Sequence, residues 1–163
     1  MPFTIRQIRE QELPLLEDFL YEAIFLPPGV EPPPRSILDD PALQVYIEAF
    51  GRKPDDICLA AEVDGSVVGA VWTRIMNDYG HVDDATPSLA ISLYPQYRRQ
   101  GIGTALMQAM LDTLSARGYA AVSLSVQKAN YAMRMYEKLG FQTIREDAEE
   151  AIMVRRFPSS EML

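Results

Sequence analysis

Residues 89–104 read Leu-Ala-Ile-Ser-Leu-Tyr-Pro-Gln-Tyr-Arg-Arg-Gln-Gly-Ile-Gly-Thr, an apolar run that passes through a proline turn into a glycine-containing loop. Leu89 to Leu93 predicts a short strand. Beyond the loop Ile102, Ala105, Leu106, Ala109, Met110 and Leu114 recur at helical spacing, with Arg117 in the last turn and Gly118 as the stop. Ala120 to Val126 then predicts a buried strand, parallel to the first because a whole helix connects them. Glycines let a backbone approach a ligand. A helix N-terminus leaves about four N–H groups unpaired and carries partial positive charge, so this loop can hold a phosphate or diphosphate. Arg98 and Arg99 add charge here in a chain with 23 acids, 15 bases and a formal charge of −8. A basic spot in an acidic protein points to an anionic ligand.

Two familiar phosphate loops do not fit. A Walker loop needs Gly-Lys-Ser/Thr, and Gly101 to Thr104 contains no lysine. A dinucleotide fingerprint needs a small residue where Leu106 stands and an acid closing the next strand, where Gln127 follows Val126. Gly-x-Gly spacing alone also allows a loop that the glycines merely cap.

The flanking sequence predicts a mixed α/β layer fold. Phe3 to Ile8 alternates as a strand, and Leu13 to Ile24 carries a helical stripe that must end near Pro27. Pro27 to Asp39 is proline-rich and reads as a surface loop. Asp40-Pro41 is an N-cap and first helical residue, with Leu43, Tyr46, Ile47 and Phe50 on one face and Gly51 as the stop. Ile57 to Val63 and Val67 to Ile75, joined by Asp64 and Gly65, form a hairpin signal. Asn77 to Pro87 is polar and turn-rich. A short helix over about Tyr131 to Leu139 and strands over about Phe141–Arg145 and Ala151–Phe157 complete the series, which predicts one domain over residues 1–157 and a tail from 158 to 163.

Composition narrows the partners. The chain has 163 residues, 48% hydrophobic and 23% charged, enough to bury a core without metal or disulfide help. The −8 charge argues against a nucleic-acid partner held through phosphates and favours a neutral or cationic substrate. No apolar run reaches the roughly 18 residues of a membrane span, and Met1 to Glu10 carries charges where a signal peptide needs its hydrophobic segment, so a cytoplasmic protein is expected. A single cysteine, Cys58, excludes an internal disulfide and any multi-cysteine metal site, and its apolar neighbours predict a small buried residue.

The run Leu93 to Thr104 resembles the Arg/Gln-x-x-Gly-x-Gly/Ala acyl-CoA signature of the GCN5-related N-acetyltransferase (GNAT) superfamily. Asn130-Tyr131-Ala132-Met133-Arg134-Met135-Tyr136-Glu137-Lys138-Leu139-Gly140-Phe141 resembles a second block of that family, with Met135 in place of leucine. The resemblance implies a mostly antiparallel sheet of six to seven strands with about four helices, splayed between its parallel fourth and fifth strands. It implies acetyl-CoA as acyl donor, no metal, an amine acceptor that is a small molecule or a peptide, and a homodimer as an option.

The resemblance also distributes roles. Ile91, Ser92 and Leu93 would offer backbone groups to the pantetheine arm. Arg98, Arg99, Gln100, Gly101, Ile102, Gly103 and Thr104 would cradle the diphosphate. Asn130 would contact the cofactor, and Lys128 and Arg134 would reach the adenosine phosphates. Tyr136 would sit by the sulfur and protonate the leaving thiolate. Periodicity alone makes Tyr136 a core residue and Asn130 a helix cap. The expected strands carry no carboxylate for a general base, which leaves His81, Glu62, Asp78, Asp83, Asp84 or water. Glu22, Glu31, Asp39 and Asp40 around the proline-rich loop would suit a cationic acceptor, and Trp72 reads as core or cleft wall. The missing carboxylate also keeps open a non-catalytic acyl-CoA sensor.

Overall fold

The structure, a computed structural model, describes residues 2–78 and 80–158, so positions 159–163 of the expected tail lie outside it. The first strand, β1 (Thr4–Gln7), pairs antiparallel with β2 (Ile57–Val63), which pairs antiparallel with β3 (Ser66–Arg74). Asp64 and Gly65 join the last two with both φ angles positive, +50° and +81°. That primed turn has the twist antiparallel strands require.

β4 (Ser88–Leu93) continues antiparallel to β3. A helix returns the chain to β5 (Ala121–Gln127), which lies parallel to β4 as the connection requires. β6 (Gln142–Glu146) and β7 (Glu150–Arg156) follow, giving a seven-stranded sheet in the order β1-β2-β3-β4-β5-β7-β6. All pairings except β4 with β5 are antiparallel.

That parallel pair touches at one register position, Ser88 opposite Ser123. The 77–87 segment clamps this end. Ser88 Oγ donates to Asp78 Oδ1 at 2.7 Å, and Ser123 Oγ donates to the Gly80 carbonyl at 2.7 Å. Gly80 lies so close to β5 that an added Cβ would stand 3.2 Å from the backbone of Leu124 and Ser125. Beyond the clamp the strands diverge into a V.

Four α-helices lie among the described residues: α1 (Leu16–Glu22), α2 (Pro41–Gln44), α3 (Ile102–Ala116) and α4 (Ala132–Lys138). Strand alternation sends Ile57, Val71, Leu89, Leu93, Val122, Leu124, Ala151 and Met153 into a core with α3 and α4. Cys58, Ala70, Trp72 and Ala90 go to a second core with α1 and α2. Cys58 is buried there, and burial pushes its thiol pKa well above the ordinary range, as expected for a packing residue. No helix of the described residues is long and apolar enough to cross a membrane.

Two elements differ from their sequence patterns. The Leu13–Ile24 stripe divides into a 3₁₀ turn over Glu10–Leu15, containing Pro14, and the α-helix α1. The stripe from Pro41 to Phe50 keeps only one α-helical turn, although Asp40 caps it as expected, accepting from Ala42 N–H at 2.9 Å. Side chains of β3 take the carbonyls that a longer helix would use. Arg74 Nη1 donates to the carbonyls of Val45 and Glu48, and Trp72 Nε1 donates to that of Tyr46. Tertiary bonds therefore override the local pattern. Trp72 is fully buried in the core.

Candidate active site

The open arm of the V exposes a strand edge whose phase is fixed by two bonds. Tyr94 N–H donates to the Val68 carbonyl and Ser123 N–H donates to the Pro87 carbonyl, both at 3.0 Å. Even-numbered residues of β4 therefore spend their backbone groups on β3, while Ile91 and Leu93 turn theirs toward the gap. Ser92 departs from its expected role for this reason. Its backbone faces Ala70, and its hydroxyl donates to the Phe19 carbonyl, anchoring α1 to β4. The Leu93 carbonyl accepts from Arg98 Nε at 3.3 Å, so the Ile91 N–H and carbonyl and the Leu93 N–H form the free edge.

This edge leads through a 3₁₀ turn, Pro95–Tyr97, to the loop before α3. Arg99 and Gly101 both have positive φ, +63° and +86°. The first α-helical bond is Ala105 N–H to the Gly101 carbonyl, which leaves the amides of Ile102, Gly103 and Thr104 ahead of it with no helical acceptor. The loop's side chains brace the backbone. Arg98 Nη2 reaches the Glu22 carbonyl at 3.3 Å and lies 3.9 Å from Glu22 Oε2, a buried oxygen with no hydrogen-bond partner among the described residues. Arg99 Nε donates to the Tyr131 hydroxyl at 3.0 Å, Gln100 Nε2 donates to the Gln96 carbonyl at 3.0 Å, and Thr104 Oγ1 contacts Met135 Sδ at 3.5 Å. Ile102 is buried in the core. These contacts lock the loop to α1 and α4 and leave amides as its ligand-facing chemistry.

Between the strands lies a cavity of about 460 Å³. Its walls include Leu89, Ala90 and Ile91 from β4, Leu124 to Gln127 from β5, and Asn130 and Tyr136 around α4. Leu20, Ala23, Ile24, Phe25, Leu43 and Tyr46 close the α1 and α2 side. Asn130 both lines the cavity and caps the turn, with Oδ1 accepting from Ala132 N–H at 2.9 Å. The Tyr136 ring is buried, with its centroid 5.9 Å from that of Phe141. Burial alone pushes its hydroxyl pKa up to about 12, so it stays a proton donor.

None of the expected acids, nor His81, reaches this cavity. Glu62 sits on β2 and accepts from Arg6. Asp78 accepts from Ser88 at the closed end of the V. Asp83 accepts from Ala85 N–H, and the Asp84 side chain is 98% exposed. His81 has Nδ1 2.8 Å from the Met76 carbonyl and lines a separate cavity. Glu22, Glu31, Asp39 and Asp40 are likewise absent from the wall. Among the described residues its one acid is Glu150 at the start of β7, opposite Gln127. Nothing in the pattern of its own strand marks it, because β7 reaches the cleft only through its pairing with β5. Lys128 is paired with Glu146 at 3.3 Å, and Arg134 is exposed on α4. The described residues gather no group of three or more His, Cys, Asp or Glu side chains able to hold a metal ion.

The parallel pair thus parts after one contact and opens onto an amide-bearing loop. The chain belongs to the Acetyltransferase (GNAT) family, whose sequence profile matches residues 19–141. It is 36% identical over 109 residues to the N-alpha-acetyltransferase of Sulfurisphaera tokodaii, a match covering 58% of this chain and 65% of that protein. It is 39% identical over 103 residues to the probable N-acetyltransferase camello of Xenopus tropicalis, covering 61% of this chain and 45% of that protein. The chain thus spans less than two thirds of either relative. Among solved structures it resembles the PaiA N-acetyltransferase of Thermoplasma acidophilum in complex with coenzyme A, with a TM-score of 0.69 and 20% identity over 96% of this chain and 100% of that one.

Proposed function

We propose that the protein transfers an acetyl group from acetyl-CoA to a primary amine of a small molecule or a peptide, directly and without a covalent enzyme intermediate. The observation that carries this reading is the free edge at Ile91 and Leu93, continuous with the unpaired amides at the start of α3. A pantetheine arm needs amide partners along its length and a diphosphate needs donors at its end, and these residues fit both. The names of the relatives support nitrogen as the acceptor atom.

When bound, acetyl-CoA supplies an activated thioester. The amides of Ile102, Gly103 and Thr104, with those of Arg99 to Gly101, hold the diphosphate at the positive end of α3. Asn130 contacts the arm with its carboxamide NH₂, since its oxygen is used by Ala132. The Leu93 N–H, at the end of the free edge, donates to the carbonyl oxygen as negative charge develops there, a contribution of ~3 kcal/mol for such a donor. Tyr136 keeps its proton at neutral pH and delivers it to the departing sulfur. A lysine-like amine, with an ordinary pKa of about 10.4, must lose a proton before its nitrogen can attack.

The test is thiol release from acetyl-CoA across polyamines, aminoglycosides, amino acids and peptides with free N-termini. Release that depends on the amine is expected. Acetyl-CoA binding without release for every amine would overturn catalysis and leave a sensor.

A further inference from the structure

The cavity wall is apolar on the side of α1 and α2, where Leu20, Ala23, Ile24, Phe25 and Leu43 face it, and it carries one negative charge, at Glu150. Strand alternation sets the direction of that charge. Ala151 and Met153 enter the core under α3, so Glu150 and its register partner Gln127 project to the opposite face. The backbone of Glu150 is fixed. Its N–H donates to Asp147 Oδ1 at 2.8 Å, and its carbonyl accepts from Asp147 N–H at 2.9 Å.

The carboxylate itself takes no hydrogen bond or ion pair from the described residues. Several other half-buried acids are engaged: Glu12 and Glu62 by Arg6, Asp18 by Arg35 and Tyr94, and Asp56 by Arg74, while Glu22, which does not line the cavity, has Arg98 3.9 Å away. A held but unpaired carboxylate on the wall of a cleft attracts a cation.

We propose that Glu150 is the acceptor-docking residue of this cleft, taking a primary ammonium group on an apolar stem. The inference rests on the acetyl-transfer reading. The stem lies along Ile24, Phe25 and Leu43, and the ammonium meets Glu150. After that group has lost one proton to solvent, its nitrogen lone pair forms the C–N bond. The nitrogen then becomes positively charged and acidic, and Glu150 takes its proton. The C–S bond breaks with its electron pair on sulfur, which takes the Tyr136 proton. Solvent returns the proton on Glu150 to Tyr136, so amine and thioester give amide and thiol with no net change in the enzyme.

Glu150→Gln keeps the shape and removes the charge, and Glu149→Gln removes a neighbouring charge that does not line the cavity. Calorimetry of butylammonium binding to the coenzyme A-loaded protein is expected to show affinity falling roughly tenfold or more in Glu150→Gln. Glu149→Gln and the affinity of each variant for coenzyme A are expected to stay at the wild-type level. Thiol release with butylamine is expected to fall about a hundredfold in Glu150→Gln. Equal butylammonium affinity in wild type and Glu150→Gln, an equal loss in Glu149→Gln, or no binding to the wild type would overturn the docking role. Glu150-dependent binding without thiol release from any amine would uphold docking and overturn acetyl transfer.

Discussion

Tyr136 and Glu150 line one cleft from opposite faces of the sheet: Tyr136 rises from the core under α3 and α4, and Glu150 projects toward α1 and α2. The packing of α4 sets the side of Tyr136, and the period of two along β7 turns Glu150 to the other. It gives the cleft two chemically distinct sides, one with a neutral proton donor and one with an unpaired carboxylate.

Replacing Tyr136 by Phe is expected to lower kcat by about a hundredfold while leaving coenzyme A affinity intact. Since burial raises the hydroxyl pKa to about 12, its proton is retained as pH rises past the ordinary tyrosine value of about 10. The ratio of wild-type to mutant kcat should therefore stay constant from about pH 7 to about pH 10. Equal kcat in the two proteins would remove Tyr136 from the chemistry.

Gly101 and Gly103 should respond differently to alanine. A Cβ on Gly101 meets no atom within 4 Å, but φ is +86°, a conformation that costs an L-residue roughly 1–2 kcal/mol. At Gly103 φ is not positive and the added Cβ meets only Leu93 Cδ1 at 3.7 Å, an ordinary contact. Denaturant unfolding should show the larger loss in Gly101→Ala, and weaker coenzyme A binding should accompany it.

Arg74 is expected to dominate the stability of the α2 face. Burial opposes ionisation of Asp56, yet its bonds to Arg74, together with those from the Gly51 and Lys53 N–H groups, outweigh that penalty and hold its pKa below the ordinary range. Arg74→Ala leaves this carboxylate, whose side chain is 0% exposed, without its cation and with only the Gly51 and Lys53 N–H groups, and frees the carbonyls of Val45 and Glu48. A loss of about 3–5 kcal/mol in unfolding free energy is expected. A loss below about 1 kcal/mol would show that the network contributes little.

Acid should weaken the β1 edge through Glu12. Its hydrogen bonds to Arg6 hold its pKa to about 2, so the fold favours the ionised form. The stabilisation is full above the ordinary carboxylate value of about 4.5 and is lost as pH falls through about 2. Thermal unfolding across that window should show a smaller acid-induced drop in Glu12→Gln than in wild type.

The strand-loop-helix at 89–104 and its parallel partner were legible because apolar period, glycine punctuation and a helical crossover all point one way. The Asp64-Gly65 turn was legible for the same local reason. The short α2 was not, since Trp72 and Arg74 take its carbonyls from a distant strand. The inward turn of Ser92 depends on which β4 residues bond β3, a phase that sequence does not carry. Glu150 was hidden most deeply. It lies 14 residues beyond Tyr136 in a charged turn, and only the β5–β7 register brings it to the wall of the same cleft.

A crystal structure with acetyl-CoA bound is expected to show diphosphate oxygens within hydrogen-bond distance of main-chain nitrogens between Arg99 and Thr104, and the thioester lodged between Ile91 and Tyr136. A cofactor seated elsewhere, or density for none at saturating concentration, would contradict this placement.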